Sequence, residues 1–233
     1  MAPAASLAEW PSLIRNTFLT QTKNNAGITG VKLFMRGKPY VISVDDNLAF
    51  YNTSYNWTWG NESYPQSDYG GGGPVFAYLS KDNRTIWGAV LEKAYAKLHG
   101  NYRKLSGGFL ENGIRSLTGA PISSYEISEL RNEDRVFDLL KAADSANNII
   151  TLNSFLKQPS WRNGCGLYNF HAYSLLSVFN MTDTNNTNFG CLLIRNPWAE
   201  EPYYNTSFNS SSSRWTDSLV AQVPFGIDPR TSQ

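Results

Sequence analysis

Cysteine and histidine are scarce in this chain of 233 residues. It has two cysteines, Cys165 and Cys191, and two histidines, His99 and His171. Two cysteines exclude a disulfide framework as the source of stability. A four-ligand zinc site would need all four residues, at spacings that zinc motifs do not have. Any histidine-dependent chemistry must therefore use one of two imidazoles.

Strong net charge and long apolar runs are also absent. The chain has 20 basic and 19 acidic residues, for a formal net charge of +1, which argues against a nucleic-acid-binding protein. No run of 18 apolar residues occurs, and residues 1–5 form neither a basic nor a long apolar segment. We therefore expect no membrane span, no secretory signal and a cytoplasmic location.

What the chain does contain is typical of a folded protein. Aromatic residues make up 14% of it and charged residues 17%, and the length suits one large domain or two small lobes. Helical spacing predicts helices over residues 6–18 with a break at Pro11, 86–98, 113–117 and 133–146. Other patterns predict a hairpin over 30–46 turning at Gly37-Lys38, a surface loop over 51–74, and strands over 191–194 and 219–223. Helices followed by strands predict an α+β fold.

Two segments near the end hold the candidate catalytic residues. His171 opens one predicted strand, and Asn196 closes the next. Across a hairpin, the Asn196 oxygen would accept the imidazole Nδ1–H, fix the tautomer and leave Nε2 facing a nucleophile. Trp198 would cover this bond from water. On spacing alone a structural histidine is the commoner explanation, and Asn196-Pro197 is equally a turn signal.

The amino-acid sequences of these segments resemble those of one protein family. His171-Ala172-Tyr173-Ser174 together with residues 194–198 (IRNPW) resembles the second half of the calpain protease core, a papain-like cysteine endopeptidase. Residues 92–102 (EKAYAKLHGNY), 106–108 (SGG) and 117–120 (LTGA) resemble the calpain helix that packs between two lobes and the segments after it. The resemblance covers roughly residues 7 to 200, and is nearest to the calpain-like proteins of protists.

The resemblance implies a papain-like α+β fold with two parts. Residues 1–73 would be the remnant of the Cys-bearing lobe with its hairpin. Residues 74–233 would be the β-rich lobe that bears the His and Asn, with packed helices. The implied activity is intracellular proteolysis of protein or peptide substrates, with His171 as general base, Asn196 as its orienting partner and Trp198 as their shield.

The nucleophile of the family has no counterpart in this sequence. In calpains it lies in a Gly-x-Cys-Trp-like segment preceded by a Gln, which we expect just before Met1. Cys165 and Cys191 do not match its position. We therefore expect that this chain, a calpain-like endopeptidase core by resemblance, does not hydrolyse peptides on its own, and the sequence leaves open whether it is a fragment of an active protease. The alternative is a pseudo-protease that serves as a structural or interaction subunit of a larger assembly.

Calcium is the one cofactor that the resemblance implies. Glu200 and Glu201, after Trp198, are the expected ligands. Pro202 stands where a further acidic ligand is expected, and a solvated acidic turn explains the pair more simply. Pro202 and this simpler explanation of Glu200 and Glu201 therefore argue against calcium binding here.

Overall fold

The computed structural model describes most of the chain and divides it into two compact units. The first unit comprises Ser12–Gly108 and Ser116–Gly119, and the second comprises Ala2–Pro11, Phe109–Arg115 and Ala120–Gln233. The expected boundary between residues 73 and 74 lies outside the described residues and stays a prediction. The structure describes residues 2–49, 86–105, 107–130, 132–154, 166–197 and 208–231, and the backbone of 56–59 and 62–65.

Helices and antiparallel strands share these described ranges, which confirms the predicted α+β arrangement. The helices are α1 (Ala2–Leu7), α2 (Pro11–Thr17), α3 (Trp87–His99), α4 (Leu110–Thr118), α5 (Ile127–Leu130), α6 (Glu133–Ser145) and α7 (Asp217–Val220). The strands are β1 (Ile28–Met35), β2 (Lys38–Asp45), β3 (Asn56–Trp59), β4 (Glu62–Pro65), β5 (Ile150–Ser154), β6 (His171–Thr182) and β7 (Asn188–Arg195). None of the helices in the described ranges is long and apolar enough to cross a membrane.

Local signals account for where several helices begin. The helix predicted over residues 6–18 breaks as expected, and α2 begins at Pro11, where a missing N–H leaves no hydrogen bond unmade. The strand predicted over residues 219–223 was wrong. Thr216 caps α7 there, because its Oγ accepts the N–H of Leu219 at 3.3 Å. A short apolar run does not by itself distinguish a strand from a helix.

In the first unit, the predicted hairpin is formed by β1 and β2. Its turn lies one residue earlier than predicted, at Arg36 and Gly37, whose φ angles of 50° and 75° are those of a tight hairpin turn. Val31 and Leu33 are fully buried on β1, and α3 packs against both strands. The loop prediction over residues 51–74 was wrong for β3 and β4, which pair antiparallel.

Lys93 ties α3 to the end of β2 within this unit. Its Nζ donates to Asp45 Oδ1 at 2.6 Å, to the Asp45 carbonyl at 3.2 Å and to the carbonyl of Asn47. The hydrogen bond from Lys93 favours the carboxylate and lowers the pKa of Asp45 from 3.8 to about 2. The attachment of α3 is therefore sensitive to acid.

Replacing Lys93 with methionine is expected to lower the Tm by an amount that depends on pH. Because the folded pKa of Asp45 is depressed, the pair stabilises the fold above about pH 4 and is lost as the pH falls toward 2. The Tm difference between wild type and Lys93→Met should therefore shrink across that range in thermal unfolding. Lys97→Met is the matched control, because Lys97 donates to the Ser43 carbonyl at 2.7 Å, an acceptor that does not titrate. A difference for Lys93→Met that stays constant with pH would contradict the prediction.

The second unit is built on a three-stranded antiparallel sheet in the order β5-β6-β7. An apolar cluster covers the part of β6 and β7 near their connection. Helix α6 packs on β6, and a Cβ at Gly190 would come within 2.6 Å of Phe137 Cε2, so a larger residue at this position would displace the Phe137 ring. The cluster contains Met181, Leu219 and Val223, with Phe179, Phe189, Cys191, Phe208, Trp215 and Ile227 against them.

Candidate active site

The main chain at His171 is fixed by the strand beside it. His171 is the first residue of β6 and pairs with Ser154, the last residue of β5. Ser154 Oγ accepts the His171 N–H at 3.2 Å and donates to the carbonyl of Tyr168. Phe170, just before the strand, has a φ of 51°, a left-handed conformation that non-glycine residues rarely adopt. The chain thus enters β6 through a sharp turn that Ser154 bonds at Tyr168 and at His171.

Two tyrosines hold the imidazole of His171. Its ring meets the rings of Tyr168 and Tyr173 edge-on, with centroids 5.9 and 4.8 Å away. The Tyr173 hydroxyl accepts the N–H of Tyr168 at 2.8 Å, which ties the two tyrosines together. His171 is 8% exposed and Tyr173 is 2% exposed. The imidazole therefore has a defined orientation in a largely apolar setting.

His171 bonds directly to Asn196, the first residue after β7. The distance from Nε2 to Asn196 Oδ1 is 2.8 Å. The expectation that Nδ1 makes this bond was wrong. Continuing the pairing of Ser174 with Arg195 puts Asn196 opposite Tyr173, so it is a diagonal neighbour of His171. The more distant ring nitrogen, Nε2, spans that diagonal, and Nδ1 is the nitrogen left for another partner.

A β-bulge decides that these two side chains share a face of the sheet. Leu175 pairs with Ile194, but Ser177 pairs with Leu193, so Leu176 is an extra residue in β6. Without it, the pairing would place Asn196 opposite Ser174. Residues 171 and 174 point to opposite faces, because side chains alternate along a strand. The one-residue shift at the bulge therefore brings Asn196 to the face of His171.

The protonation of His171 depends above all on its burial and on its hydrogen bond. Burial lowers the pKa of His171, and the hydrogen bond that Nε2–H donates to Asn196 raises it, with burial the larger effect. The net shift is downward, so the neutral imidazole is favoured in the folded protein. With Nε2–H donating to Asn196, the lone pair of the neutral ring lies on Nδ1. The arrangement supplies a base with a fixed tautomer.

Of the other residues singled out in the sequence, several lie outside the described residues: Cys165, Trp198, Glu200 and Glu201. Their roles stay predictions. Within the ranges that are described, no group of three or more His, Cys, Asp or Glu side chains is placed to hold a metal ion. His99 ends α3 in the first unit, where its ring lies 4.4 Å from that of Tyr95.

Cys191 lies far from the imidazole along the sheet. It pairs with Phe179, eight residues along β6 from His171, which is roughly 25 Å at the usual rise of a strand. It packs against the apolar cluster, and burial raises the pKa of its thiol. A thiol in this position is a poor nucleophile at neutral pH.

Three residues that shape the site were not predicted from the sequence. Tyr173 stands in the quoted His-Ala-Tyr-Ser segment, but nothing in the pattern showed that its hydroxyl would accept the N–H of Tyr168. Ser154 gave no signal, because β5 itself was not predicted. Asp144 accepts bonds from Ser177 and Val178 beside the bulge, and helix periodicity alone does not indicate such a contact.

Comparisons with known proteins show which family the chain is similar to. The sequence profile described as calpain family cysteine protease matches residues 1–222. The chain is 30% identical over 205 residues to calpain clp-4 of Caenorhabditis elegans, covering 84% of this chain and 24% of that protein. It is 28% identical over 213 residues to the calpain-type cysteine protease DEK1 of Zea mays, covering 89% of this chain and 9% of that protein. It is also 28% identical over 199 residues to calpain-A of Drosophila melanogaster, covering 83% and 21%.

The chain belongs to the calpain family of cysteine proteases. Its helices and antiparallel sheets are those of the papain-like α+β fold of calpain protease cores. The chain spans 9% to 24% of the length of these relatives.

Proposed function

We propose that this chain supplies the general base and its orienting residue for a calpain-type cysteine endopeptidase acting on protein or peptide substrates. The observation that carries the proposal is the 2.8 Å bond from His171 Nε2 to Asn196 Oδ1. Because the imidazole is buried and its far nitrogen is occupied, Nδ1 is the atom that would face the reacting sulfur. The residues that orient the ring, Tyr168 and Tyr173, hold it before any substrate arrives.

The proposed chemistry uses both protonation states of the His171 ring, the neutral imidazole and the imidazolium. The neutral imidazole takes the thiol proton on Nδ1, and the resulting thiolate attacks the peptide carbonyl. The imidazolium then returns that proton to the leaving amine. The Asn196 oxygen accepts Nε2–H in both states, so it keeps the ring in place and favours the charged one. Trp198 is proposed to shield this bond from water.

We also propose that the chain as it stands does not cleave peptides alone. Cys191 is roughly 25 Å along the sheet from His171, and its thiol pKa is raised by burial. Both facts argue against Cys191 as the nucleophile that would face Nδ1. Cys165 lies outside the described residues. It is set aside as the nucleophile only because its position in the sequence does not match that of the family. Loss of a nucleophile costs on the order of 10⁶-fold in kcat in proteases studied by deletion.

A fluorogenic peptide and a thiol-reactive epoxide test this second proposal on the purified chain. We expect no turnover above the background seen with His171→Ala, and no epoxide adduct on either cysteine by peptide mass mapping. Cys191→Ser is the matched control, because it removes the one thiol in the described residues without touching His171. Turnover that is lost in His171→Ala, or labelling of Cys165 or Cys191, would contradict the proposal.

The transcript upstream of Met1 distinguishes the fragment from the pseudo-protease. If it encodes a Gln and a Gly-x-Cys-Trp-like segment, the extended protein should hydrolyse the same peptide, and His171→Ala should abolish this activity. Activity in the extended protein that survives His171→Ala would overturn the role of base. If no such segment is encoded, the pseudo-protease becomes the better description of the protein.

A further inference from the structure

We propose that Asp144 is a positioning residue for the His171–Asn196 pair, because its carboxylate holds the β-bulge that brings Asn196 to the face of His171. This proposal rests on the proposed function, because a positioning role for Asp144 has meaning only if the His171–Asn196 pair is catalytic. The structural part, that Asp144 maintains the His171–Asn196 hydrogen bond, stands by itself and is the part tested below.

The carboxylate of Asp144 contacts β6 immediately beside the extra residue. Its Oδ2 accepts the Val178 N–H at 2.8 Å and the Ser177 hydroxyl at 3.2 Å. Leu176 is the residue of β6 that has no pairing partner in β7. The two donors, Ser177 and Val178, follow it directly in the strand. A bulge interrupts the ladder of hydrogen bonds locally, and here a side-chain oxygen takes up backbone and hydroxyl donors at the interruption.

Asp144 is itself held in place by the end of α6. The Asp144 carbonyl accepts the Asn147 N–H at 2.8 Å, and the Ala143 carbonyl accepts the Asn148 N–H at 3.0 Å. These bonds close the last turn of the helix, and Asn147 takes the left-handed φ of 57° that such closures need. Near its other end, Phe137 of the same helix lies against Gly190. The helix is thus attached to the sheet at two points, one of which is the bulge.

Electrostatics alone does not favour a carboxylate at this position. Asp144 lies in the last turn of α6, where the partial negative charge of the helix end repels an anion. A second carboxylate, Glu9, is close enough that Asp144 helps to raise the pKa of Glu9, after the larger effect of burial. The two hydrogen bonds to β6 are the contacts that explain an acid here.

The consequence for the site follows from the register. If the carboxylate is lost, Ser177 and Val178 lose an acceptor, and the pairing that dispenses with the extra residue becomes competitive. In that pairing Asn196 lies opposite Ser174, on the other face of the sheet from His171. The bond between His171 Nε2 and Asn196 Oδ1 cannot form there.

The test follows the Nε2–H proton of His171 by NMR on the whole chain, without substrate. In wild type this proton should be visible and protected from exchange with water, because it is bonded and buried. In Asp144→Ala its resonance should be lost, as it is in Asn196→Ala. Asp144→Asn should restore it, because an amide oxygen accepts the same two bonds. Asp138→Ala, an exposed acid on the same helix, should leave it unchanged, and the ring signals of His99 provide an internal reference.

Each outcome decides the question. A protected Nε2–H signal in Asp144→Ala, or its loss in Asp144→Asn as well, would overturn the proposal. If Asp144→Ala does not fold, Ser177→Ala takes its place. That variant removes one of the two bonds and should speed exchange of the Nε2–H proton, and an unchanged rate would overturn the proposal. Because no turnover is measured, failure here is distinct from failure of the proposed protease function.

Discussion

Truncation of Tyr173 to alanine is expected to lower the free energy of unfolding by about 3–5 kcal/mol, the usual cost of deleting a buried aromatic side chain. Tyr173 is 2% exposed and is the largest of the fully buried side chains in the described residues. It lies in the central strand β6 opposite Leu152, so the neighbouring strands leave little room for collapse into the cavity. Urea unfolding of the two proteins measures this difference.

A second substitution separates packing from hydrogen bonding at the same residue. Tyr173→Phe keeps the ring and removes only the hydroxyl that accepts the Tyr168 N–H at 2.8 Å. We expect a loss of about 1–3 kcal/mol, because a donor in a partly buried turn loses its acceptor. Tyr125→Phe, at a residue that is 61% exposed, should change stability by less than about 0.5 kcal/mol. Equal losses for Tyr173→Phe and Tyr173→Ala would show that packing of the ring contributes little.

The features that the sequence predicted well are those that depend on neighbouring residues. The period of apolar residues located α3 and α6, and Pro11 marked the start of α2. The alternation around Gly37 located the first hairpin, with an error of one residue in its turn. Each of these signals lies within a stretch of about 20 residues, so no distant contact was needed to read it.

The site depended on contacts that local patterns do not carry. Juxtaposition of His171 and Asn196 was a sound expectation for two strand ends, but the choice of Nε2 depends on the register of β6 and β7. That register depends on one extra residue, Leu176, and on Asp144 from a helix earlier in the chain. A period of two along either strand gives no sign of a bulge, because the sequence is compatible with both pairings. Side chains that stabilise one register over the other can be identified only when the fold is known.

Replacing Asn196 with alanine is expected to lower the pKa of His171 further below its usual 6.5. In the wild type, burial lowers this pKa and the hydrogen bond donated to Asn196 partly offsets the effect, so the substitution leaves burial unopposed. The change is measured by NMR titration of the His171 ring protons, with those of His99 as internal reference. Asn196→Asp is the matched control and should raise the same pKa, because a carboxylate stabilises the imidazolium. An unchanged or higher pKa in Asn196→Ala would contradict the prediction.

The same shift gives Asn196→Ala a distinct dependence of stability on pH. Because the folded pKa of His171 is depressed, the unfolded chain binds more protons near pH 6 than the folded chain does. The contribution of His171 to the free energy of unfolding is therefore complete above about pH 6.5 and falls as the pH drops through the folded pKa. A lower folded pKa extends that fall to more acidic pH, so the variant should lose more stability between pH 7 and pH 5 than the wild type does. In the proposed site the same change disfavours the imidazolium at neutral pH, and with it the thiolate that the imidazolium would hold. The Asn196 oxygen would therefore serve catalysis in two ways: it sets the direction of the ring, and it offsets the cost of charging a buried base.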